Sequence, residues 1–540
     1  MYKKFCCFDI IVLIFLAFFC LLYAFTCINF SIYPSEDAAI VLRYSDNFAQ
    51  GHGIVWNIGD KPVDGATDFL FMVLIGLFLK AGLSLEFAAR FIGISSHILT
   101  VFVTYICLRK LWSINIIPAV VVSVYLAVSP GLYYVAAYFG TPLFTLLVSI
   151  TWYTALTIKN NGSTHKNSIL FASAALMMSL CRPEGLILSL LMLLALVYLR
   201  KFKNVRLTIL YFSVSFIIIG GIYCLWRWNY FGYPLSNPFY KKGGLYLSSL
   251  KNSIENVTKL CLPFLPAFLF GFYSITTRRL TVGFLIPVIG FTASFLFLSE
   301  EMNFGARYQY PVLPVVLMSF WPLVEPVTKD LQIRWLKELD KRKLITLNVF
   351  LAVFSIGILV YQYNYSSIAE YYKDGNYEVA VILSDYKNYN YTIATSESGL
   401  LSLYSGWKVI DTWGLNDQWI AHNDGLTEEY LGRSNPQVIS FHNLFYPGLQ
   451  INERLNKWLN MVSIMKNYAE QNGYILAAVY GISLYDSYFF YVKSDFPQSK
   501  EIVDKIRNVN FSWYESGERA VNYALFYEHH YSKTPVGWER

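Results

Sequence analysis

Two adjacent carboxylates, Glu36 and Asp37, come within a few residues of the end of an apolar run from Phe8 to about Phe30. A carboxylate in that place sits at a membrane surface, partly desolvated, where it could take a proton from a sugar hydroxyl. Neighbouring side chains point in different directions, so one of the pair is expected to act as base and the other to hold a cation or a metal. On spacing alone helix capping explains the pair equally well, because acids in a first turn favour the helix dipole. Charges of both signs recur in segments assigned to the same membrane face: Arg43, Asp64, Asp68, Arg90, Arg182, Glu184, Arg227, Lys241, Lys242 and Arg307. Lys241, Lys242 and Arg307 suit an anionic ligand such as a phosphate. The lysines could equally snorkel to lipid headgroups, and Arg182 could simply pair with Glu184 across a Pro-Gly turn. Gly51, Gly53, Gly59 and Gly65 mark tight turns and not a phosphate-binding loop, because no strand precedes them. Neither the seven histidines nor the eight cysteines have metal-ligand spacing.

The elements that must position these residues are mostly membrane helices. The 540-residue chain is 55% hydrophobic and only 15% charged, with a mean hydropathy of +0.40, whereas a soluble domain is about 25% charged. The net charge of +7 comes largely from Lys and Arg clustered in short loops between apolar runs, such as Arg109 and Lys110, the positive-inside pattern. That placement argues against nucleic-acid binding. Besides the first run, apolar segments fall near 87–108, 115–135, 139–158, 168–181, 184–199, 207–226, 259–276, 280–298, 308–324 and 344–362, giving eleven expected transmembrane helices. The first run is too long for a signal-peptide core and reads as an uncleaved helix with a cytoplasmic N-terminus. Segment 69–79 is too short to span, and charge parity makes it a surface helix in the first outer loop, 31–86. Residues 363–540 then lie outside as a separate α/β domain. Its strands are expected at 391–395, 408–411, 436–440, 474–480 and 488–494, with a helix near 498–508. The membrane centres hold almost no charge, which argues against ion-coupled transport.

Six motifs run in order along the chain: EDAAIVLRYSDNFAQGHGIVWN (36–57), PVDGATDFL (62–70), RPEG (182–185), YFGYPLSNPFYKK (230–242), RYQYPVLP (307–314) and VIDTWGLNDQWIA (409–421). As a set they resemble the GT-C superfamily of membrane glycosyltransferases, most of all the bacterial polyprenyl-phosphate-dependent arabinofuranosyltransferases and related envelope enzymes. The resemblance implies a GT-C fold: a helical membrane body of residues 1–362 and a C-terminal periplasmic domain of residues 363–540. It implies an inverting glycosyltransferase on the outer face of a bacterial inner membrane. The donor would be a polyprenyl-phosphate-linked sugar, the acceptor an envelope glycan or lipid, and membrane lipids would be partners. The catalytic carboxylate falls on Asp37 or Glu36; the family more often has two Asp here, which slightly favours Asp37. Arg43, Arg182, Lys241, Lys242 and Arg307 are the expected phosphate- and donor-binding cations. Asp68, Glu184, Asp411 and Asp417 are the expected sugar or acceptor contacts, although a turn and a helix cap explain Asp411 and Asp417 equally well. Relatives often carry Glu where this chain has Gly140. No nucleotide site is expected, no metal ligands are assigned, and a divalent Mg2+ or Mn2+ ion stays open.

Three other readings share these features. A polymerase or ligase of lipid-linked polysaccharide would rely on outer Arg or His residues and tolerate loss of the acidic pair. A flippase of lipid-linked sugar would make no glycosidic bond. A non-catalytic assembly protein could retain the body with a degenerate site.

Overall fold

The computed structural model describes residues 7–27, 33–242, 244–299, 303–326, 349, 352–363, 375–444, 453–483 and 486–509. The first part of the chain is helical: α1 (Cys7–Cys27), α2 (Glu36–Ala49), α3 (Phe69–Lys80), α4 (Leu85–Ile106), α5 (Ile116–Ala127), α6 (Gly131–Ala136), α7 (Thr141–Asn161), α8 (His165–Cys181) and α9 (Glu184–Arg200). Shorter helical pieces continue to Ser319, and a further helix covers Ala352–Tyr363. Among the described residues, six helical stretches are long and apolar enough to cross a membrane: Cys7–Thr26, Leu85–Leu111, Ile116–Ala136, Thr141–Asn161, Phe202–Phe231 and Leu247–Tyr273. The expected runs at 168–181, 184–199 and 280–298 form helices of 17 residues each. Those at 308–324 and 344–362 correspond to the shorter apolar helices Val312–Pro326 and Ala352–Tyr363. Segment 69–79 is the 12-residue α3, which packs on α2, α4 and α8.

One feature departs from the charge pattern read along the sequence. Arg109, taken there as a loop charge, is buried at the end of α4, where its Nε donates to Asp9 Oδ1 at 2.6 Å. Tyr105 donates to the same oxygen at 2.9 Å. A buried charge persists only when paired and hydrogen-bonded, so this cluster ties α1 to α4 at the end of the body remote in sequence from Glu36 and Asp37.

The C-terminal part holds a five-stranded mixed sheet in the order β2-β1-β3-β5-β4. Its strands are β1 (Thr392–Thr395), β2 (Lys408–Asp411), β3 (Val438–Leu444), β4 (Tyr474–Ser483) and β5 (Asp486–Lys493). β1 runs parallel to both β2 and β3, while β5 is antiparallel to β3 and β4. Every expected strand overlaps an observed one, although that expected at 436–440 begins and ends later, at Val438–Leu444, and the helix Ser499–Arg507 lies where 498–508 was expected. Ile393 and Ala394 in β1 are both fully buried, as consecutive residues must be when helices cover both faces of a parallel pair.

α2 is the hinge-pin between the two parts. Nine of its fourteen residues are buried, because it packs on α3 on one side and on the helix Gly399–Ser405 on the other. The contact is backbone-tight: a Cβ at Gly399 would stand 2.0 Å from the Glu36 carbonyl oxygen. Trp56 Nε1 donates to the Val409 carbonyl at 2.9 Å, and Asn57 Oδ1 accepts from Val409 N at 3.0 Å. These bonds lock the first loop to the edge strand β2.

Candidate active site

A cavity of about 390 Å3 lies where the first loop, the α8–α9 turn and the segment around Arg307 meet. Four helix N-termini reach its wall. Asp37 sits in the first turn of α2, Asp68 at the N-cap of α3, Gly140 at the N-cap of α7, and Glu184 opens α9. Helix N-termini carry unsatisfied N–H groups and a positive partial charge, so their convergence favours anions. The short turn between α8 and α9 is made by Arg182 and Pro183, and Gly185 in the first turn of α9 lets the two helices close up: a Cβ there would stand 2.3 Å from the Met178 carbonyl oxygen.

Two arginines and three carboxylates line the cavity in three ion pairs. Arg307 Nη2 donates to Asp37 Oδ2 at 2.5 Å and to the Tyr308 hydroxyl at 2.9 Å. Its guanidinium lies 3.9 Å above the Phe139 ring, which fixes the plane of the group. Arg182 Nη1 donates to Asp68 Oδ1 at 2.6 Å, and Nη2 donates to Glu184 Oε1 at 3.1 Å. Of the four side chains in the two ion pairs Asp37–Arg307 and Asp68–Arg182, that of Asp37 is the most exposed, at 23%. Arg307 Nε and Glu184 Oε2 are buried with no hydrogen-bond partner, so each has bonding capacity free for a ligand.

Burial pushes the Asp68 carboxyl above the usual carboxylate range; Arg182 opposes the shift and Glu184 adds to it. Burial works against the charge of Arg182, but Asp68 and Glu184 outweigh it and hold the guanidinium firmly protonated. Arg307 is likewise raised against burial, by Tyr308 and Asp37. The second wall is apolar and includes Leu235, Phe239, Phe297 and Leu298. Beside Gly140 there is no room for a side chain as the site stands: a Cβ would lie 2.7 Å from Asp68 Oδ2 and 3.0 Å from the Phe71 ring.

The structure therefore brings together Asp37, Asp68, Arg182, Glu184 and Arg307. The remaining candidates lie elsewhere. Glu36 accepts from Leu400 N at 2.9 Å and from Asn376 Nδ2 at 3.1 Å, both in the C-terminal part. Arg43 is buried and donates to the Trp56 carbonyl at 2.7 Å, the Trp407 carbonyl at 3.1 Å, Asn57 Oδ1 at 3.0 Å and the Ser402 carbonyl. Asp411 gathers the loop that follows β2 by accepting from Trp413 N, Gly414 N and Asn416 N. Asp417 caps a short helix through Ile420 N at 3.0 Å and accepts from the Tyr430 hydroxyl at 2.7 Å. Lys241 Nζ lies 4.4 Å above the Trp413 ring. The side chain of Lys242 lies outside the described residues.

Tyr308, Ser236 and Thr67 also line the cavity and were not singled out from sequence. The motif RYQYPVLP could have pointed to Tyr308, since it follows Arg307 directly. Among the described residues no group of three or more His, Cys, Asp or Glu side chains could hold a metal ion. The cavity's three carboxylates, Asp37, Asp68 and Glu184, are each engaged by an arginine.

A family model described as a domain of unknown function, DUF8728, matches residues 361–533. No curated protein matches the chain. Among solved structures, ArnT from Cupriavidus metallidurans in the apo state is similar with a TM-score of 0.59 and 11% identity, over 88% of this chain and 97% of that one. The same protein bound to undecaprenyl phosphate gives a TM-score of 0.55 at 11% identity, over 90% of this chain and 99% of that one. The archaeal oligosaccharyltransferase AglB from Archaeoglobus fulgidus, in complex with an inhibitory peptide and a dolichol-phosphate, gives 0.54 at 12% identity, over 91% and 75%. At such identity the likeness is one of fold. The chain shares the fold of these proteins.

Proposed function

We propose that this protein is an inverting glycosyltransferase that moves a sugar from a polyprenyl-phosphate donor to an envelope glycan or lipid, with Asp37 as the base. The observation that carries the proposal is the Asp37–Arg307 pair in a cavity walled by four helix N-termini. The acceptor hydroxyl attacks the anomeric carbon from the face opposite the phosphate. A new carbon–oxygen bond forms as the bond to the phosphate oxygen breaks, the hydroxyl proton passes to Asp37, and polyprenyl phosphate leaves. Arg307, through its free Nε, and Arg182 take the charge that grows on the departing phosphate. As the phosphate engages Arg307, Asp37 Oδ2 is freed to meet the acceptor hydroxyl. Asp68 and Glu184 remain to accept hydrogen bonds from sugar hydroxyls. The polyprenyl tail follows the apolar wall at Leu235, Phe239 and Phe297. The undecaprenyl and dolichol phosphates bound by the two structural neighbours support a lipid-linked donor.

The finer layout belongs to the same proposal. It comprises eleven spans, an inner-membrane location, a cytoplasmic N-terminus and division into 1–362 and a periplasmic 363–540. The family match to 361–533 supports that boundary. The test compares envelope glycans by mass spectrometry in cells that lack the protein, carry the native chain, or carry Asp37→Asn at equal abundance. Loss of one sugar in the null strain, unrestored by the variant, is the expected result. Full restoration by Asp37→Asn removes the base assignment and brings the ligase, flippase or scaffold readings forward.

A further inference from the structure

Behind the catalytic cavity lies a second, larger cleft of about 570 Å3 between the first loop and the C-terminal part. The two share their dividing wall. Gly65, Thr67 and Leu415 face the catalytic cavity, while Val63, Asn416 and Asp417 face the cleft. The cleft's character differs from that of an apolar interdomain seam. Trp419 lines it, 38% exposed, and stacks on Tyr430 with ring centroids 4.7 Å apart and planes 13° from parallel. Around this aromatic pair stand Asp60, Lys61, Lys408, Asp417 and Arg433. Asp417 accepts from the Tyr430 hydroxyl, and Lys408 Nζ donates to Asp60 at 2.8 Å, so ring orientation and charge are both fixed before any ligand arrives. Exposed aromatic faces bordered by groups of both signs match a neutral polyhydroxyl chain, whose hydroxyls each donate and accept and whose C–H faces pack on rings. The volume falls in the range that encloses a ligand of several rings.

We infer that this cleft binds a stretch of a neutral acceptor glycan remote from the hydroxyl that reacts at Asp37, because the wall between cleft and cavity is closed where Gly65 packs on Asn416 and Tyr44 bonds Val63 and Asn416. The inference rests on the glycosyltransferase reading and names its acceptor class: an oligosaccharide of several sugars, long enough to occupy the cleft while one end is at the catalytic cavity. It also gives the 409–421 motif a role at a distance from the chemistry. Asp411 shapes the loop, and Trp419 is the contact surface.

The test uses the full chain in membranes, a lipid-linked sugar donor, and acceptor glycan recovered from the envelopes of cells that lack the protein. Initial rates are measured against glycan and donor concentration for the native chain, Trp419→Ala, Lys61→Ala and Asp37→Asn. The expected result is a glycan KM about tenfold higher for Trp419→Ala and about threefold higher for the exposed Lys61→Ala, with the donor KM unmoved. A glycan KM unchanged in both variants overturns the cleft. So does an acceptor pool that proves to be a single sugar on lipid, used equally well by both. If Trp419→Ala fails to accumulate, Lys61→Ala decides. Transfer that survives Asp37→Asn refutes the reaction itself, a different outcome from indifference to Trp419.

Discussion

Separating Glu36 from Asp37 is the sharpest test of how the site is built. Both are acids in the first turn of α2, and sequence alone left either as base. In the structure their surroundings diverge. Asp37 faces the cavity and one guanidinium, whereas both Glu36 oxygens are taken by Leu400 N and Asn376 Nδ2. Asp37→Asn keeps the shape but cannot accept a proton, and loss of a general base costs about 10²–10⁴ in rate, or about 2.7–5.4 kcal/mol of barrier. Glu36→Gln keeps one accepting oxygen and loses the other, so one charge-assisted hydrogen bond goes, worth about 1.5–3 kcal/mol. That cost falls on docking of the C-terminal part, and the rate of the docked enzyme should fall by less than about threefold, since the loss touches no reacting group. The assay pairs initial transfer rates with tryptic cleavage of the segment joining the two parts. Faster cleavage with a near-native rate is expected for Glu36→Gln, and a slow enzyme with native cleavage for Asp37→Asn. An equal loss of rate in both, with cleavage unchanged, would refute the division of labour.

Three further outcomes follow from the same geometry. Gly399→Ala places a Cβ 2.0 Å from the Glu36 carbonyl oxygen, and overpacking of this kind costs about 1–3 kcal/mol; thermal unfolding should come earlier and the joining segment should be cut faster. Arg43→Met removes the donor to the Trp56, Ser402 and Trp407 carbonyls, a loss of at least about 3 kcal/mol at 1.5–3 per charged hydrogen bond, visible as failure of the protein to accumulate in membranes or as a much lower melting temperature. Asp68 supplies a pH test. Its folded carboxyl is raised by burial above the unfolded value of 3.8, so its contribution to stability is complete below that value and is lost as pH rises through the folded one. Asp68→Asn should flatten the fall in melting temperature as pH rises above the unfolded carboxyl value, and an unchanged slope would mean that Arg182 holds Asp68 ionised throughout.

The parts of the fold that follow from local pattern were legible in the sequence. Short β-branched runs such as TIAT and KVID became β1 and β2 in place, and the apolar segments became helices. Parity of the basic loops kept α3 out of the list of spans. What local pattern could not carry was tertiary pairing. Arg109 looked like a loop charge until Asp9, a hundred residues earlier, proved to be its partner. Arg43 looked like a phosphate ligand because a lone cation in a motif-rich loop gives no sign of the carbonyls, at Ser402 and Trp407, that lie more than 350 residues away. Five of the site candidates did converge, because Asp37, Asp68, Arg182, Glu184 and Arg307 all sit at or beside breaks between elements, where Pro, Gly and helix ends are readable. The cleft at Trp419 left only the quoted motif as its trace, since an exposed tryptophan is recognisable as a binding surface only once its neighbours are in place.

The pairing of Glu36 with Asp37 has a mechanical consequence. Successive residues on an α-helix are turned by about 100°, so one helix turn can hold a domain with one side chain and serve a cavity with the next. Glu36 is bonded to the C-terminal part and Asp37 to Arg307 in the membrane body, with no intervening residue to absorb a movement. A shift of the C-terminal part that drew Glu36 with it would rotate or translate the start of α2 and carry Asp37 relative to Arg307. The cleft lined by Trp419 belongs to that same movable part and also to the first loop, at Asp60 and Lys61. A glycan bound there would bridge the two and hold α2 in the position in which Asp37 reaches the cavity. Occupancy of the cleft and placement of the base are then coupled through a single helix turn.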